Sequence, residues 1–472
     1  MPRKIVLLET NEVPYRILDD YISKHPTSRL ARELPRCRQY TTIAADTCQL
    51  SPWITWPTFH RGVNNDVHEI MSFGQDLGDI DALYPPIWRL LVDAGVSTGV
   101  FGPLHSSPLP RDAESFDYYL PDTFAVDPAS YPDGLTSFQN FNLAMARQSS
   151  RNVSGSIDMG SLISFLPKAP GLGLRFKTML ALAKQLIDER RDGWKRNRRR
   201  TYQPVLAFDL FMKQLGSHKP QFTNFFTNHV ASAMHRFWAA TYPDDYEEVE
   251  MSEAWQAQYG GEIDFAMGWI DDMFDRLASF TDRNPEYLLV VASSMGQHAT
   301  SGKRVDTQLY LRNTEKFMRL AGLQDDEWER RPAMDPHVCI VVQEEKLATL
   351  THFLEKLSIE GAPIKRAIRD EGFIELEFGH VNLDAATGKA LLDGEELPFL
   401  DLGLESIVIE DEVGSTAYHM PAGTFYIYDP TDTSPKSGRP EIATTLVAPA
   451  LLAHFGLPLP DYMVKSDELR FV

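Results

Sequence analysis

The feature that most constrains the fold is a set of short apolar runs that alternate with helical segments. The first run, residues 5–8 (IVLL), is continuously apolar, as in a parallel strand that helices cover on both faces. Similar runs occur at 95–101 and 285–292, after helical segments at 86–94 and 261–280. This alternation predicts an α/β fold with a mostly parallel central sheet flanked by helices.

Two stretches interrupt the alternation. Residues 150–220 show helical periodicity, basic clusters and few strand signals, and they predict a helical insertion. Residues 336–410 show a strand, a helix and further strands, and they predict a small inserted α+β lobe. The remaining residues, 1–335 and 411–472, are then expected to form one core.

The charge balance limits the partners. The 472 residues include 66 acidic and 46 basic side chains, a formal net charge of -20. We expect such a surface to repel nucleic acid and anionic membranes, so neither is a predicted partner. The basic run at 190–200 (RRDGWKRNRRR) departs from this balance. It is either a solvated helix end or an anion-binding or partner surface.

Cysteine content and apolar run lengths indicate the compartment. Cys37, Cys48 and Cys339 are too few and too scattered for a disulfide framework or a zinc motif. The first apolar run is too short for a signal peptide, and no apolar stretch approaches the roughly 20 residues that span a bilayer. We therefore expect a cytoplasmic protein.

Polar residues accompany the apolar runs in a fixed order along the chain. The segments are LLETNEV with Asn11, SPWITWPTFHRG with Ser51, Thr55 and Arg61, NHVASAMHRFW with Ala231 and His235, VVASSMG with Ser294 and Met295, and AYHMPAG with His419. In this order they resemble the alkaline phosphatase superfamily, specifically its phosphodiesterase-like branch. The resemblance covers nearly the whole chain and implies the fold of that family.

The resemblance also implies a site that normally holds two metal ions, usually zinc. One ion of the family is bound by an Asp at the end of the first strand, which is Asn11 here, and by an Asp-His pair, which is Ser294 and Met295 here. A neutral amide, a hydroxyl and a thioether cannot compensate a divalent cation. We therefore predict that this position holds no ion.

The second ion of the family is bound by an Asp and two His residues. The matching positions are Ala231, His235 and His419, so two imidazoles remain without the carboxylate. If a helix runs through this segment, Asn228, Ala231 and His235 share a face and His229 points away. If a strand ends near residue 227, His229 turns into the pocket as a third ligand. The prediction is at most one divalent ion, zinc, or else hydrogen-bonded histidines without metal.

A hydroxyl is the expected nucleophile. Ser51 precedes a proline, which suits a helix N-cap, and a helix N-terminus attracts a phosphate or sulfate oxygen. Thr55 is the alternative, because the following Trp-Pro resembles the Phe-Pro of the family. Arg61 either binds an oxyanion with its guanidinium or forms a surface salt bridge.

Three functions are compatible with these residues. The first is a hydrolase or transferase acting on a phosphoryl, sulfuryl or related ester of a small-molecule or glycan-linked anionic substrate. The second is a non-catalytic binding or scaffold protein that keeps the fold and pocket. The third is a changed reaction with acid–base groups drawn from Glu9, Glu12, His60 and His229.

Overall fold

A computed structural model describes residues 2–147, 152, 165, 171–334, 336–369, 372–384 and 387–471. Its strands, in chain order, are β1 (Lys4–Thr10), β2 (Arg38–Ile43), β3 (Thr98–Phe101), β4 (Tyr118–Leu120), β5 (Phe222–Thr227), β6 (Tyr287–Ala292), β7 (Gly296–Ala299), β8 (Thr307–Leu311), β9 (Trp328–Arg331), β10 (His337–Val342), β11 (Leu357–Ile359), β12 (Ala362–Pro363), β13 (Lys365–Ile368), β14 (Phe373–Glu377), β15 (Lys389–Leu392), β16 (Glu395–Pro398), β17 (Leu404–Val408), β18 (Ala417–Met420), β19 (Ala422–Tyr428) and β20 (Glu441–Ala443).

Helices connect most of these strands. Those of the described residues are Tyr15–Lys24, Arg29–Glu33, Pro52–Arg61, Asn65–His68, Gly78–Leu83, Ile87–Asp93, Thr136–Arg147, Phe176–Arg191, Arg199–His218, His229–Thr241, Glu253–Tyr259, Glu262–Arg283, Thr314–Leu320, Glu344–Lys356 and Val447–His454. Among them, none has the length and apolar content needed to cross a membrane.

The central sheet has eight strands in the order β20-β2-β19-β6-β1-β5-β3-β4. Neighbouring strands pair in parallel, except that β19 is antiparallel to β6 and β2. The predicted fold class, an α/β protein with a mostly parallel central sheet flanked by helices, is confirmed. The three strands predicted from apolar runs are β1, β3 and β6.

Both faces of the sheet are covered, which explains the continuous apolar run in β1. Val6 and Leu8 belong to the core on one face, whereas Ile5 and Leu7 belong to the core on the other. All four side chains are buried. Burying an aliphatic side chain of this size contributes about 1.5–3 kcal/mol, so a polar residue at any of these positions is disfavoured.

A third apolar cluster extends from Leu309 to Leu404 and is built on two four-stranded antiparallel sheets, β13-β14-β10-β9 and β12-β11-β15-β16. It includes most of the segment 336–410, although the division of the chain into domains stays a prediction. Within the predicted insertion at 150–220, the structure has the helices Phe176–Arg191 and Arg199–His218. The residues of that insertion before 171, except 152 and 165, lie outside the described residues.

Candidate functional site

The candidate site lies at the carboxyl edge of the central sheet. Strand β1 is paired in parallel with β5 on one side and β6 on the other, and the register aligns Thr10 at the end of β1 with Thr227 at the end of β5. The segments that follow these strands therefore meet at one edge. Ligands of open α/β sheets bind outside this edge.

Glu12 provides the carboxylate of the site. It follows the end of β1 with a left-handed φ of 60° and a buried side chain. This conformation is uncommon for a residue other than glycine. In the turn after β1, the Glu12 carboxylate lies 2.7 Å from the Asn11 amide nitrogen.

Two histidines contact the Glu12 carboxylate. Oε2 of Glu12 lies 3.0 Å from Nε2 of His235 and 3.4 Å from Nε2 of His419. His235 comes from the helix His229–Thr241, and His419 comes from β18. One ligand atom from each of the three residues lies within 4.8 Å of the others, and no further group of this kind occurs among the described residues.

Backbone carbonyls orient both imidazoles. Nδ1 of His235 donates to the carbonyl of Ala417 at 2.8 Å, and Nδ1 of His419 donates to the carbonyl of Leu50 at 2.6 Å. With Nδ1 protonated, each ring directs Nε2 toward Glu12. A carbonyl partner on the second ring nitrogen is typical of histidines that ligate metals.

The surroundings of the cluster shift the pKa values of Glu12 and His419. Burial opposes ionisation of Glu12, but the charges and hydrogen bonds of His419 and His235 outweigh it and hold the pKa of Glu12 well below its usual range. Burial likewise opposes the charging of His419, but Glu12 raises the pKa of that imidazole. Without a metal, Glu12 and His419 therefore form an ion pair, and His235 contacts the same carboxylate.

Amides complete the surroundings of Glu12. The Gln297 side-chain nitrogen donates to the Glu12 carboxylate and, at 3.2 Å, to the carbonyl of Ala231. Sequence reasoning treated Glu12 only as an acid–base candidate and did not single out Gln297. The one available signal was position, since Glu12 follows Asn11 and Gln297 follows the VVASSMG segment.

Asn11 is held by hydrogen bonds at the position expected to replace a family ligand. Its Nδ2 donates to Glu12 and to Oδ1 of Asn228 at 2.7 Å, and its Oδ1 accepts from Nε1 of Trp56 at 2.8 Å. Both polar atoms of the Asn11 side chain are thus occupied by protein groups.

Ser294 and Met295 lie after β6, and both are buried. The Ser294 hydroxyl is 2.8 Å from the Thr55 hydroxyl, and Thr55 is itself fully buried. Thr55 lies one turn inside the helix Pro52–Arg61, so its oxygen is engaged away from the helix N-terminus.

Ser51 occupies the N-cap of the helix Pro52–Arg61, as predicted. Its side chain makes no capping hydrogen bond, so the hydroxyl is not consumed by the helix. The preceding residue, Leu50, supplies the carbonyl that holds His419. This contact places Ser51 beside the histidines of the cluster and distinguishes it from Thr55.

The helix His229–Thr241 decides between the two geometries predicted for His229. Asn228, Ala231 and His235 all make contacts toward the Glu12 edge. His229 points elsewhere: Nε2 donates to the carbonyl of Ala266 at 3.1 Å, and Nδ1 lies 2.6 Å from the Thr227 hydroxyl. The prediction of His229 as a third ligand is not met, because both ring nitrogens are engaged outside the cluster.

Glu9 and His60 form a separate polar contact on the other side of the sheet edge. Oε1 of Glu9 lies 3.0 Å from Nε2 of His60 and accepts from Nδ2 of Asn224 at 2.9 Å. All three residues are buried. These residues are not part of the Glu12 cluster. The acid–base candidates predicted from the sequence therefore do not lie in one site.

Arg61 lies at the opposite end of its helix from Ser51. A rise of 1.5 Å per residue separates the two by about 15 Å, too far to share one oxyanion. The buried guanidinium lies 2.7 Å from Asp81 and donates to the carbonyl of Tyr84. The structure therefore does not bring Arg61 to the site, and its contacts are those of a salt bridge, the second alternative, although the guanidinium is buried rather than on the surface.

We expect Arg61→Ala to lower the free energy of unfolding by about 2–3 kcal/mol, because it removes the packing of a buried side chain and leaves a cavity, while its partner Asp81 stays half-exposed. Denaturant unfolding measures this loss. Arg304→Ala, which removes an exposed ion pair with Asp306, should leave stability nearly unchanged, because exposed pairs contribute little. A stable Arg61→Ala protein with lost activity would contradict the structural role.

These features define an open α/β protein with a carboxylate–bis-histidine cluster beside a helix N-terminus. No protein-family model matches the sequence, and no curated protein matches it either. Several solved structures are similar to it. Three of them, described below, are members of the alkaline phosphatase superfamily, the family that the motif order resembles.

Murine ectonucleotide pyrophosphatase/phosphodiesterase 5 is 11% identical, with a TM-score of 0.44, and the match covers 98% of both chains. Phosphonoacetate hydrolase from Sinorhizobium meliloti 1021, in complex with phosphonoformate, is 13% identical, with a TM-score of 0.42 over 95% of this chain and 94% of that one. A mutant TAB5 alkaline phosphatase with Mg bound is 11% identical, with a TM-score of 0.38 over 97% of this chain and 99% of that one. The chemistry of the present chain is argued from its own side chains.

Proposed function

We propose that this chain is a divergent hydrolase or transferase of the alkaline phosphatase superfamily that acts on a phosphoryl, sulfuryl or related ester and holds one divalent metal ion. The observation that carries the proposal is the cluster of Glu12, His235 and His419 beside the N-terminus of the helix Pro52–Arg61. The expected substrate is a small-molecule or glycan-linked anion, and the expected compartment is the cytoplasm.

The three residues fit a zinc ion. Zinc bound at about 2.0–2.1 Å in a tetrahedral geometry separates its donor atoms by about 3.3 Å. The Glu12 oxygen lies 3.0 and 3.4 Å from the two imidazole nitrogens. One carboxylate and two histidines are a ligand set of catalytic zinc sites that keep a fourth position open.

A second ion does not fit the neighbouring positions. The atoms that it would need belong to Asn11, Ser294 and Met295, which are neutral, and the first two already have hydrogen-bond partners. A divalent cation at this place would lack both charge compensation and free donor atoms. We therefore propose a depleted site with one ion rather than two.

When bound, the metal would supply Lewis-acid stabilisation of charge on an ester oxygen. The protein contributes a hydroxyl and a helix N-terminus. Ser51 is the favoured nucleophile because its oxygen makes no cap bond, whereas the Thr55 oxygen is buried against Ser294. Pro52 has no backbone N–H, and those of Ile54 and Thr55 donate to the Ser51 carbonyl, so the N–H of Trp53 would bind a non-bridging oxygen of the substrate.

A non-catalytic binding function is the alternative, and one observation favours it. The Glu12 carboxylate already forms an ion pair with His419, contacts His235, and receives hydrogen bonds from Asn11 and Gln297. The folded site is therefore electrostatically satisfied without an ion. In this alternative, the pocket retains an anion without cleaving it.

Turnover assays on aryl phosphate, bis-aryl phosphate and aryl sulfate esters test the proposal. We expect slow turnover of simple esters, because one ion stabilises less charge than a pair. Ser51→Ala should reduce the turnover that is found by at least about a hundredfold, a loss of about 2.7 kcal/mol in transition-state stabilisation. Thr55→Ala is the matched control, and its turnover per folded molecule should stay close to the wild type.

If Thr55→Ala loses turnover and Ser51→Ala keeps it, the nucleophile is Thr55. Equal turnover by both variants and the wild type would exclude a hydroxyl nucleophile. A protein that cleaves none of the three ester classes, even after metal loading, would favour the binding alternative.

A further inference from the structure

The helix Phe176–Arg191 has its apolar and polar faces reversed relative to an ordinary surface helix. Phe176, Leu180 and Ile187 are 78%, 54% and 49% exposed. They lie four and seven residues apart, so they form a single stripe along the helix. A surface helix of a globular protein normally turns such residues toward the core.

The opposite face is polar and buried. Thr178, Gln185 and Glu189 are the buried residues of this helix. Glu189 accepts a 3.0 Å hydrogen bond from Nε of Arg199, and Gln185 donates to the carbonyl of Lys195 at 2.7 Å. These contacts fix the helix through its polar face. Because these contacts turn the polar face inward, the apolar stripe is exposed to solvent.

Basic side chains border the stripe. Lys177 and Lys184 are 67% and 76% exposed, although each also reaches an aspartate, Asp272 and Asp188 respectively. Arg190 and Arg191 are exposed at the end of the helix. A chain with a formal net charge of -20 therefore gathers positive charge around its exposed apolar residues.

We propose that this helix docks on the surface of an anionic membrane, lying in the plane of the headgroups with Phe176, Leu180 and Ile187 inserted at the acyl boundary. An exposed apolar stripe flanked by Lys and Arg is the composition of interfacial helices. The net charge does not prevent this contact, because salt screens charges beyond about 8 Å while the basic side chains touch the headgroups.

Charge favours lipid over a second copy of the chain on this face. A two-fold symmetric dimer would place the stripe and its basic border against themselves, so like charges would face each other. Anionic headgroups complement that border instead. The proposal reverses the expectation from net charge alone that the protein avoids anionic membranes, and it is independent of the proposed enzymatic function.

Sedimentation of the full chain with lipid vesicles tests the proposal. The protein should bind vesicles of phosphatidylcholine mixed with phosphatidylglycerol, bind pure phosphatidylcholine much more weakly, and dissociate as salt is raised. Replacing Phe176, Leu180 and Ile187 together by Ser should weaken binding by at least about tenfold. Replacing Arg190 and Arg191 by Gln should weaken binding to the anionic vesicles by about fivefold per charge removed.

The matched control replaces Leu83, Leu400 and Val408 by Ser, since these side chains are 65%, 67% and 69% exposed elsewhere on the surface. This control should bind as the wild type does. A wild type that remains unbound overturns the proposal, as does a stripe variant that binds normally. If light scattering finds a dimer for the wild type and a monomer for the stripe variant, a second copy of the chain covers the face. A large drop in melting temperature for the stripe variant would show that another part of the chain covers it; either result overturns membrane docking.

Discussion

Glu12→Gln is expected to lower the zinc affinity of the chain by more than about a hundredfold. Glutamine keeps the size of the side chain but removes the charge that compensates the ion. Loss of a partner that only supports a ligand already costs ten- to a hundredfold in affinity, and loss of a ligand should exceed that. Calorimetric titration of metal-free protein with zinc, or cobalt absorption in the same site, measures the effect without any assay of activity.

Glu9→Gln is the matched control. Glu9 is a buried carboxylate within β1, and it contacts His60 and Asn224 rather than the cluster. This variant should lose stability but keep its zinc affinity. If Glu9→Gln loses zinc and Glu12→Gln retains it, the ligand set has been assigned wrongly. Two zinc ions per wild-type chain would contradict the single-ion site.

Glu12→Gln also tests the ion pair between Glu12 and His419 in metal-free protein, through the dependence of stability on pH. In metal-free protein, the lowered pKa of Glu12 gives stability that is present above its unfolded value of 4.5 and lost as pH falls further. The raised pKa of His419 gives stability that is present below its unfolded value of 6.5 and lost as pH rises through the raised value. The ion pair is therefore strongest between these values, and Glu12→Gln should remove this maximum.

The sequence was sufficient to predict the fold class, whereas the place of the site at one edge of the sheet stays a prediction. The continuous apolar run at 5–8 predicts a strand of this kind because both faces of β1 are covered. Asn11 and Ser294 follow β1 and β6, which are parallel neighbours whose ends meet at one edge, whereas His419 lies on β18, which pairs with β7 outside the central sheet. These predictions rest on periodicity and order, which a single sequence contains.

The roles of individual side chains depended on geometry that the sequence does not contain. Asn11 and Glu12 lie in the turn after β1, where Glu12 has a left-handed backbone and the two side chains are hydrogen-bonded. Glutamate gives no local signal for that conformation, which Asn and Asp adopt more readily. Whether His229 faces the pocket depended on a helix beginning at that very residue.

His229→Gln is expected to flatten the acid side of the stability profile while leaving metal binding intact. Burial lowers the pKa of His229 to about 4, against 6.5 for the free side chain. The unfolded state therefore binds the proton first, so this residue favours the folded state fully above pH 6.5 and loses that contribution as pH falls toward 4. A shift of this size corresponds to about 3 kcal/mol.

Denaturant unfolding of wild type and His229→Gln at a series of pH values measures the contribution as a difference. His68 and His105 are buried as well, and burial lowers the pKa of each to about 3. They destabilise both proteins equally in acid, so the comparison isolates His229. Exposed His352, replaced by Gln as the control, should leave the profile unchanged.

The zinc affinity of His229→Gln should equal that of the wild type, because the ring nitrogens of His229 contact Thr227 and Ala266 rather than the cluster. A variant that keeps the wild-type acid profile but no longer binds zinc would restore His229 as a ligand and refute the geometry of the helix N-terminus.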